Sequence, residues 1–203
     1  MAPKNNRSAI SVPKITIPSV KSWTFGEVEQ IDNKRFIPIS FDGNPLILKL
    51  DQVHSPFGLS DYDQGSRRSL VLQLDSDWTE PLDCLTECLI FEAVERRGQF
   101  FGGVGETGGS VGENQIKDMY KNIVRQKEKY PSSMVAKIIM NGYYKTRFWN
   151  KSKAHIEAPA DFQGLNMNVL VHLKGLYITP DSWGLIANIN DCQILSDIIQ
   201  CPF

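Results

Sequence analysis

Three short segments in the first half of the chain repeat a large apolar residue at every second position. The apolar positions are Ile37, Ile39 and Phe41, then Leu46, Leu48 and Leu50, then Leu70, Leu72 and Leu74. A period of two places every second side chain on the same face, which is typical of a β-strand with one buried face. We therefore expect strands at 10–20, 23–31, 36–41, 45–53 and 69–75, with a tight turn at Asp42-Gly43.

The centre of the chain has a different, helical pattern. Thr79 can cap a helix at 77–97, Pro81 suits its first turn, and Leu82, Leu85 and Leu89 recur at helical spacing, with Gly98 as a stop. A second helix is expected at 113–129, where Ile116, Met119, Tyr120, Ile123 and Val124 would share one face until Pro131. These two helices form a pair inserted between β-rich segments.

Strands return after Pro131. Segments 134–140 and 143–150 flank Asn141-Gly142, the strongest hairpin signal in the chain, and two longer strands are expected at 166–178 and 182–195. The order predicts a mainly β fold with a helix pair (α+β), an OB-like or Greek-key β-barrel with inserted helices. We expect a disordered tail at 1–9, one barrel domain at 10–195 with a helical insertion at about 78–129, and a C-terminal tail at 196–203.

Composition narrows the class of protein. The net charge is −1, with 41% hydrophobic and 22% charged residues, so wholesale disorder is excluded and affinity for a polyanion would have to be local. No apolar run approaches the ~20 residues of a membrane span, and the N-terminus lacks a signal-peptide pattern. The four cysteines and three histidines show no zinc spacing, which predicts reduced thiols and no metal or cofactor. An intracellular, soluble protein is expected.

Positive charge is concentrated in one stretch. Between Glu128 and Glu157 there is no acidic residue, while six cations occur there: Lys129, Lys137, Lys145, Arg147, Lys151 and Lys153. A two-residue loop would pair Met140 with Tyr143 and place Tyr143, Lys145, Arg147 and Trp149 on one face. Val135, Ile139, Tyr144 and Phe148 would form the opposite core face. Lys137 falls on that core face, a conflict that twist or a bulge would have to absorb.

Cations beside exposed aromatic rings are typical of proteins that bind single-stranded nucleic acid. The cations follow the phosphates, and the rings stack on unpaired bases. The candidate binding residues are Tyr143 and Trp149 as stacking platforms, and Lys145, Arg147, Lys151, Lys153 and Lys137 as phosphate contacts. Two alternatives stay open: the cations protect an exposed strand from aggregation, or the hairpin docks an acidic protein partner in a structural role.

Other motifs carry weaker functional signals. Gly103, Gly105 and Gly108 form a literal G-x-G-x-x-G within the glycine-rich loop 102–112. A helix precedes this motif where a dinucleotide fold needs a strand, so the loop is interpreted as a flexible linker and a nucleotide-binding enzyme as a third hypothesis. Two D-x-D pairs, at 61–63 and 75–77, could hold Mg²⁺, but Asp75 and Asp77 are better explained as helix caps. No catalytic constellation is found, and we expect no enzyme.

Several segments resemble a known protein family. Segments 130–137 (YPSSMVAK) and 181–194 (DSWGLIANINDCQI), with 56–60 (PFGLS) and 68–72 (RSLVL) upstream, are similar to the single-stranded DNA-binding replication proteins of large DNA viruses, including those of algae. The resemblance spans roughly residues 10–195. It implies an OB-fold that coats replicating DNA without sequence preference, has no catalytic residues, and works at a viral replication site in the host cytoplasm or nucleus.

The resemblance also bears on partners. Single-stranded DNA is the implied ligand, with RNA as the alternative. Many members of the family end in a long acidic tail tipped by an aromatic residue, whereas this chain ends in Pro202-Phe203 with little acid before it. Phe203 is therefore a candidate docking tip for replication proteins, and an apolar end packed on the barrel is the alternative.

Overall fold

The computed structural model describes residues 23–31, 34–60, 65–102, 111–127 and 129–196. The predicted strand at 10–20, the tail at 1–9, the Asp61/Asp63 pair, most of the glycine-rich loop and the terminal Phe203 lie outside these ranges. The strands are β1 Trp23–Phe25, β2 Glu29–Ile31, β3 Lys34–Phe41, β4 Leu46–His54, β5 Arg67–Gln73, β6 Tyr120–Lys121, β7 Val124–Lys127, β8 Tyr130–Ile139, β9 Arg147–Trp149, β10 His155–Ile156, β11 Asn166–Ile178 and β12 Trp183–Ile194; the helices are α1 Thr79–Glu95, α2 Arg97–Phe101 and α3 Glu113–Met119.

Five of the strands close into a barrel. They follow one another around it in the order β4, β5, β8, β12 and β11, and β11 pairs with β4 to complete the ring. All neighbours are antiparallel except β8 and β12, which are parallel. Strands β4 and β5 meet only at His54 and Gln73, so the barrel is partly open there. This is the predicted mainly β, OB-like architecture, in which closure leaves few free edges.

The two longest strands, β11 and β12, form the centre of the barrel wall. The predicted ranges 166–178 and 182–195 match them almost residue for residue. Their inward side chains, such as Val171 and Ile189, are fully buried in one core. Their outward side chains are half-buried polar and apolar residues: Asn168, Leu170 and His172 on β11, and Asn188, Asp191 and Gln193 on β12. This outer face carries the candidate site.

The turn predicted at Asp42-Gly43 is confirmed. Phe41 and Asn44 exchange two backbone hydrogen bonds of 2.9 Å, and both turn residues have positive φ, 47° and 73°. The runs on either side of the turn do not pair with each other. Instead β4 pairs with the first part of β11 and β3 with its last part. Both strands are antiparallel to β11, so β3 and β4 run in the same direction, one after the other along it.

The first predicted helix is confirmed at Thr79–Glu95, and a separate short helix follows it at Arg97–Phe101. Helix α1 buries Leu82, Leu85 and Leu89 against the core, as their spacing predicted. Gly98 is not a stop, because α2 continues through it to bury Phe100 and Phe101. Asp75 occupies the capping position of a short 3-10 turn at Ser76–Trp78, although its carboxylate makes no capping hydrogen bond. None of the helices within the described ranges has the length and apolarity to cross a bilayer.

The second predicted helix is wrong beyond Met119. Helix α3 spans only Glu113–Met119, and the chain then forms β6 beside β12 and β7 beside β8. The helix ends where Tyr120 takes an extended conformation, and beyond it the side-chain oxygen of Asn122 accepts a hydrogen bond of 2.9 Å from the Val124 amide between β6 and β7. The apolar residues Ile123 and Val124 are buried all the same, but as part of the sheet. Pairing with β8 therefore overrides a helical pattern that sequence alone favoured.

Candidate nucleic-acid interface

The hairpin predicted at Asn141-Gly142 does not form. Strand β8 pairs with β5, β7 and β12, and β9 pairs with β12 and β10, so β8 and β9 share no ladder and Met140 does not face Tyr143. Both strands run parallel to β12, one after the other: Lys137 lies opposite Asn188 and Arg147 opposite Asp191. The prediction was wrong because β5 pairs with β8 over seven positions, while β9 pairs with β12 and β10.

A buried threonine closes the loop between these two strands. The hydroxyl of Thr146 donates to the carbonyl of Ile189 (2.6 Å) and accepts from the amide of Ile139 (3.0 Å), while its own amide donates to the Ile139 carbonyl (2.8 Å). Thr146 is only 4% exposed. Residues 140–145 are thus held at their base and displayed as a loop, which we call the tyrosine loop.

The correct register changes the predicted faces. Met134, Ala136 and Ile138 are the core residues of β8, so Lys137 lies on the outer face and the predicted conflict disappears. Its ammonium donates to the hydroxyl of Ser69 (2.8 Å). Tyr144, predicted to be in the core, is 78% exposed because it belongs to the loop. Phe148 is buried as expected, against Phe162.

Strand β9 presents Arg147 and Trp149 on the outer face, as predicted, and one carboxylate joins them. Asp191 on β12 accepts a hydrogen bond from Arg147 Nη2 (2.5 Å) at one oxygen and from Trp149 Nε1 (3.0 Å) at the other. The side chain of Asp191 is 15% exposed. A charge-assisted pair of this kind fixes the guanidinium and the indole ring relative to the sheet. Asp191 therefore orients two of the predicted site residues and also neutralises the charge of Arg147.

The tyrosine loop borders a groove of about 410 Å³ that we call the tyrosine groove. Its lining residues are Tyr143, Tyr144, Lys145, Arg147 and Asn190. Tyr143 is 91% exposed, and its ring meets that of Tyr144 edge to face at 5.1 Å. Lys174 of β11 places its ammonium 5.6 Å from the Tyr144 ring centre, a cation–π contact that ties the loop to the barrel wall. Two exposed rings and two cations thus border one groove.

A second groove of about 550 Å³, the tryptophan groove, lies on the other side of the Arg147–Asp191 pair. Its lining residues are Lys49, Asp51, Trp149, Lys153, Asn168, Val169, Leu170, Asp191 and Gln193. Trp149 supplies an aromatic wall, Leu170 an apolar patch, and the two lysines approach from opposite rims. Lys49 is paired with Asp51 at 3.1 Å. In the part of the chain that the structure describes, no carboxylate forms an ion pair with Lys153.

Hydrogen-bonded amides cross the tryptophan groove. The backbone amide of Gln52 donates a hydrogen bond to Asn168 Oδ1 (2.9 Å), and the side-chain nitrogen Nδ2 of Asn168 donates one to Gln193 Oε1 (3.0 Å). Gln193 Nε2 in turn lies 3.4 Å from the carbonyl oxygens of Asn150 and Lys151. This amide ladder connects β4, β11 and β12 to the turn that carries Lys151 and Lys153.

The cations on this face differ in whether an acidic side chain pairs with them. Arg147 and Lys49 each have an acidic partner, whereas no described acid pairs with Lys145 or Lys153. His172 lies on the same face, between Leu170 and Lys174. Burial, and secondarily the nearby Lys174 ammonium, lower the pKa of His172, so its ring is neutral at physiological pH.

The structure brings six of the seven predicted residues onto one band. Tyr143, Lys145 and Arg147 border the tyrosine groove, Trp149 and Lys153 border the tryptophan groove, and Lys151 is exposed in the adjoining turn. Lys137 shares the outer face but borders neither groove. Sequence reasoning missed the residues from other strands: Lys49, Asn168, Leu170, Lys174, Asp191 and Gln193. The outward positions of the alternating strands were the one available signal for them.

A metal centre has no support in the described part of the chain, where no group of three histidine, cysteine or acidic side chains is placed to hold an ion. Of the D-x-D pairs, only Asp75 and Asp77 are described, and they lie at the start of α1.

Comparisons with known proteins add similarities of fold. No protein-family model matches the sequence, and no curated protein matches it. The structure is similar to a single-stranded DNA-binding protein from bacteriophage Enc34 in complex with ssDNA (TM-score 0.45, 11% identity, 85% of this chain and 96% of that chain). It is also similar to gp2.5, a single-stranded DNA-binding protein encoded by bacteriophage T7 (TM-score 0.49, 9% identity, 77% of this chain and 97% of that chain). Similarities of this size do not by themselves assign the chain to a family.

Proposed function

We propose that this protein binds single-stranded DNA along the band formed by the tyrosine loop, β9 and the turn after it, and that it coats the strand without sequence preference during viral DNA replication. The observation that carries the proposal is the row of aromatic rings and cations along this band, in which Tyr143 is exposed and Trp149 half-buried: Tyr143, Lys145, Arg147, Trp149 and Lys153. Single-stranded DNA is also the ligand after which the phage neighbours are named, but the proposal rests on this surface. The viral setting follows from the sequence resemblance.

The two grooves supply both kinds of contact that a single strand needs. Rings at Tyr143, Tyr144 and Trp149 can stack on unpaired bases, at about 1–3 kcal/mol per base. Lys145 and Lys153 can contact phosphates, because no described acid neutralises them. A duplex offers its bases only at their edges, so stacking platforms favour a single strand over a duplex.

The absence of sequence preference is supported by the polar groups of the tryptophan groove. Asn168, Gln193 and Asp191 could each read a base edge there, and each is oriented by hydrogen bonds within the protein. Lys49 and Asp51 of the same groove are paired with each other. Reading a base would require these bonds to be exchanged for bonds to DNA. Stacking has no such requirement, since every base has a flat face.

The test is a titration of the protein with oligo-dT, oligo-U and duplex DNA at two salt concentrations. Fluorescence anisotropy of a labelled oligonucleotide measures affinity. Trp23 and Trp183 are buried, so tryptophan quenching reports on Trp149 and the half-buried Trp78, and Trp149→Phe separates the two signals. We expect tight binding to oligo-dT that weakens steeply with salt, with weaker binding to duplex. No binding at low salt, or affinity that ignores salt, would refute the proposal.

The same assay distinguishes single-stranded DNA binding from the rival function, docking of an acidic protein partner. A rim charge contact depends little on Trp149, whereas base stacking depends strongly on it. Trp149→Ala binding as well as the wild type would therefore favour the rival. Trp149→Phe is the matched control, because it keeps a flat but smaller ring and loses the hydrogen bond to Asp191.

A further inference from the structure

Lys153 adopts a backbone conformation that lysine rarely takes. Its φ is 61°, in the left-handed region where glycine is favoured. The turn that imposes this is closed by the Lys153 amide on the Asn150 carbonyl and the Asn150 amide on the Ala154 carbonyl, both 2.9 Å. Hairpin loops of this size usually place glycine at the left-handed position. A lysine in this conformation destabilises the fold relative to glycine, which indicates that its side chain has a role other than stability.

The position of that side chain supplies the explanation. Lys153, Lys49 and Trp149 all border the tryptophan groove. Lys49 is held by Asp51, whereas Lys153 forms no ion pair with a described carboxylate. A strained residue that projects a lysine with no acidic partner onto the rim of an aromatic groove is a feature of a binding site.

The amide ladder connects this turn to the neighbouring strands β12, β11 and β4 of the barrel wall. It begins at Gln52, another left-handed residue (φ 55°), where β4 departs from regular pairing with β11. It ends at the carbonyls of Asn150 and Lys151, through Gln193. The turn is therefore positioned by side chains of β11 and β12 that need not touch a ligand themselves.

We infer that Lys153 is a phosphate-binding residue presented in a strained conformation by its turn, and that the ladder of Gln52, Asn168 and Gln193 positions it beside Trp149. The inference deepens the proposed function and rests on it. Lys153 is the contact and Gln193 is a positioning residue, and these roles have different signatures in salt titrations. The plot of log K against log salt has a negative slope, and loss of one phosphate contact makes that slope less steep by about 0.7 for a single strand. Loss of a positioning residue weakens binding but changes the salt dependence less, because the lysine and its charge remain.

The experiment compares Lys153→Gly with Lys151→Gly in the full chain. Both variants remove one lysine from the same turn, but Lys151 has no left-handed backbone and does not border the groove. We expect Lys153→Gly to melt at a higher temperature than Lys151→Gly, because glycine relieves strain only at position 153. We expect its affinity for oligo-dT to fall about 5-fold at 0.1 M salt, with the slope reduced by about 0.7. Lys151→Gly should lose less affinity.

Gln193→Leu completes the design. We expect weaker binding with a smaller change in salt dependence than in Lys153→Gly, because Lys153 and its charge remain. If the wild type binds oligo-dT but Lys153→Gly keeps its affinity and slope, the inference is overturned and the proposed function stands. If Lys153→Gly melts no higher than Lys151→Gly, the strained presentation is overturned. A wild type that binds no oligonucleotide refutes the proposed function itself.

Discussion

The tyrosine groove and the tryptophan groove lie side by side on one face, but they are built differently. The first is bordered by a loop whose rings are almost fully exposed and are restrained mainly at the Thr146 base and by the Lys174 contact. The second is bordered by strands, and its ring is fixed by a hydrogen bond to Asp191. Ordering exposed side chains on binding costs about 0.5–1.5 kcal/mol each, so equal stacking contacts should yield more affinity in the tryptophan groove.

The largest expected effect is on binding by Trp149→Ala. Removing the preorganised ring should weaken oligo-dT binding about 5- to 150-fold, which corresponds to 1–3 kcal/mol of stacking. Anisotropy titration at fixed salt measures the loss, and Trp149→Phe should recover most of it. A loss smaller than that from the tyrosines would reverse the proposed ranking of the two grooves.

Thr146→Val should destabilise the fold and release the tyrosine loop. The variant keeps the shape of the side chain but leaves the buried Ile139 amide and Ile189 carbonyl without their partner, at a cost of about 1–3 kcal/mol. Chemical denaturation measures the change in the free energy of unfolding. Thr146→Ser, which retains the hydroxyl, is the control; equal destabilisation by both variants would show that packing rather than hydrogen bonding holds the loop.

Replacing Tyr143 and Tyr144 together by alanine should have a smaller effect on binding than Trp149→Ala. We expect a loss near 5-fold, about 1 kcal/mol, because part of the stacking energy is offset by ordering the rings. Combining the change with Trp149→Ala tests independence: additive losses mean that each groove binds its own bases. A combined loss no larger than that of Trp149→Ala alone would mean that DNA does not reach the loop.

The smallest effect concerns His172, which lies on the outer face of β11 between Leu170, which borders the tryptophan groove, and Lys174, whose ammonium contacts the Tyr144 ring. Its pKa is lower in the folded than in the unfolded protein, so the unfolded state binds the proton first as pH falls. Stability should therefore decrease as pH drops below about 6.5, the ordinary histidine value, and His172→Gln should flatten that dependence. A DNA strand crossing from one groove to the other should raise the pKa of His172, which NMR titration of its ring protons can measure; an unchanged pKa would place the strand elsewhere.

Local patterns in the sequence determined much of the fold. The strands expected at 166–178 and 182–195 match β11 and β12 almost to the residue, and the leucine spacing after Thr79 predicted α1 and its buried face. The concentration of cations and aromatic residues within 129–156 was also visible without a structure. These features depend on neighbours only a few positions away, which is why sequence suffices for them.

The tertiary structure decided which partner each strand took. Segment 120–127 joins the sheet because β12 and β8 accept it, and β9 lies on β12 instead of folding back on β8. That choice moved Lys137 to the outer face and Tyr144 into solvent, and it brought Asp191, Asn168 and Lys49 to the same site from distant parts of the chain. Backbone hydrogen bonds between strands are indifferent to sequence separation, so the grooves arise only when the barrel closes.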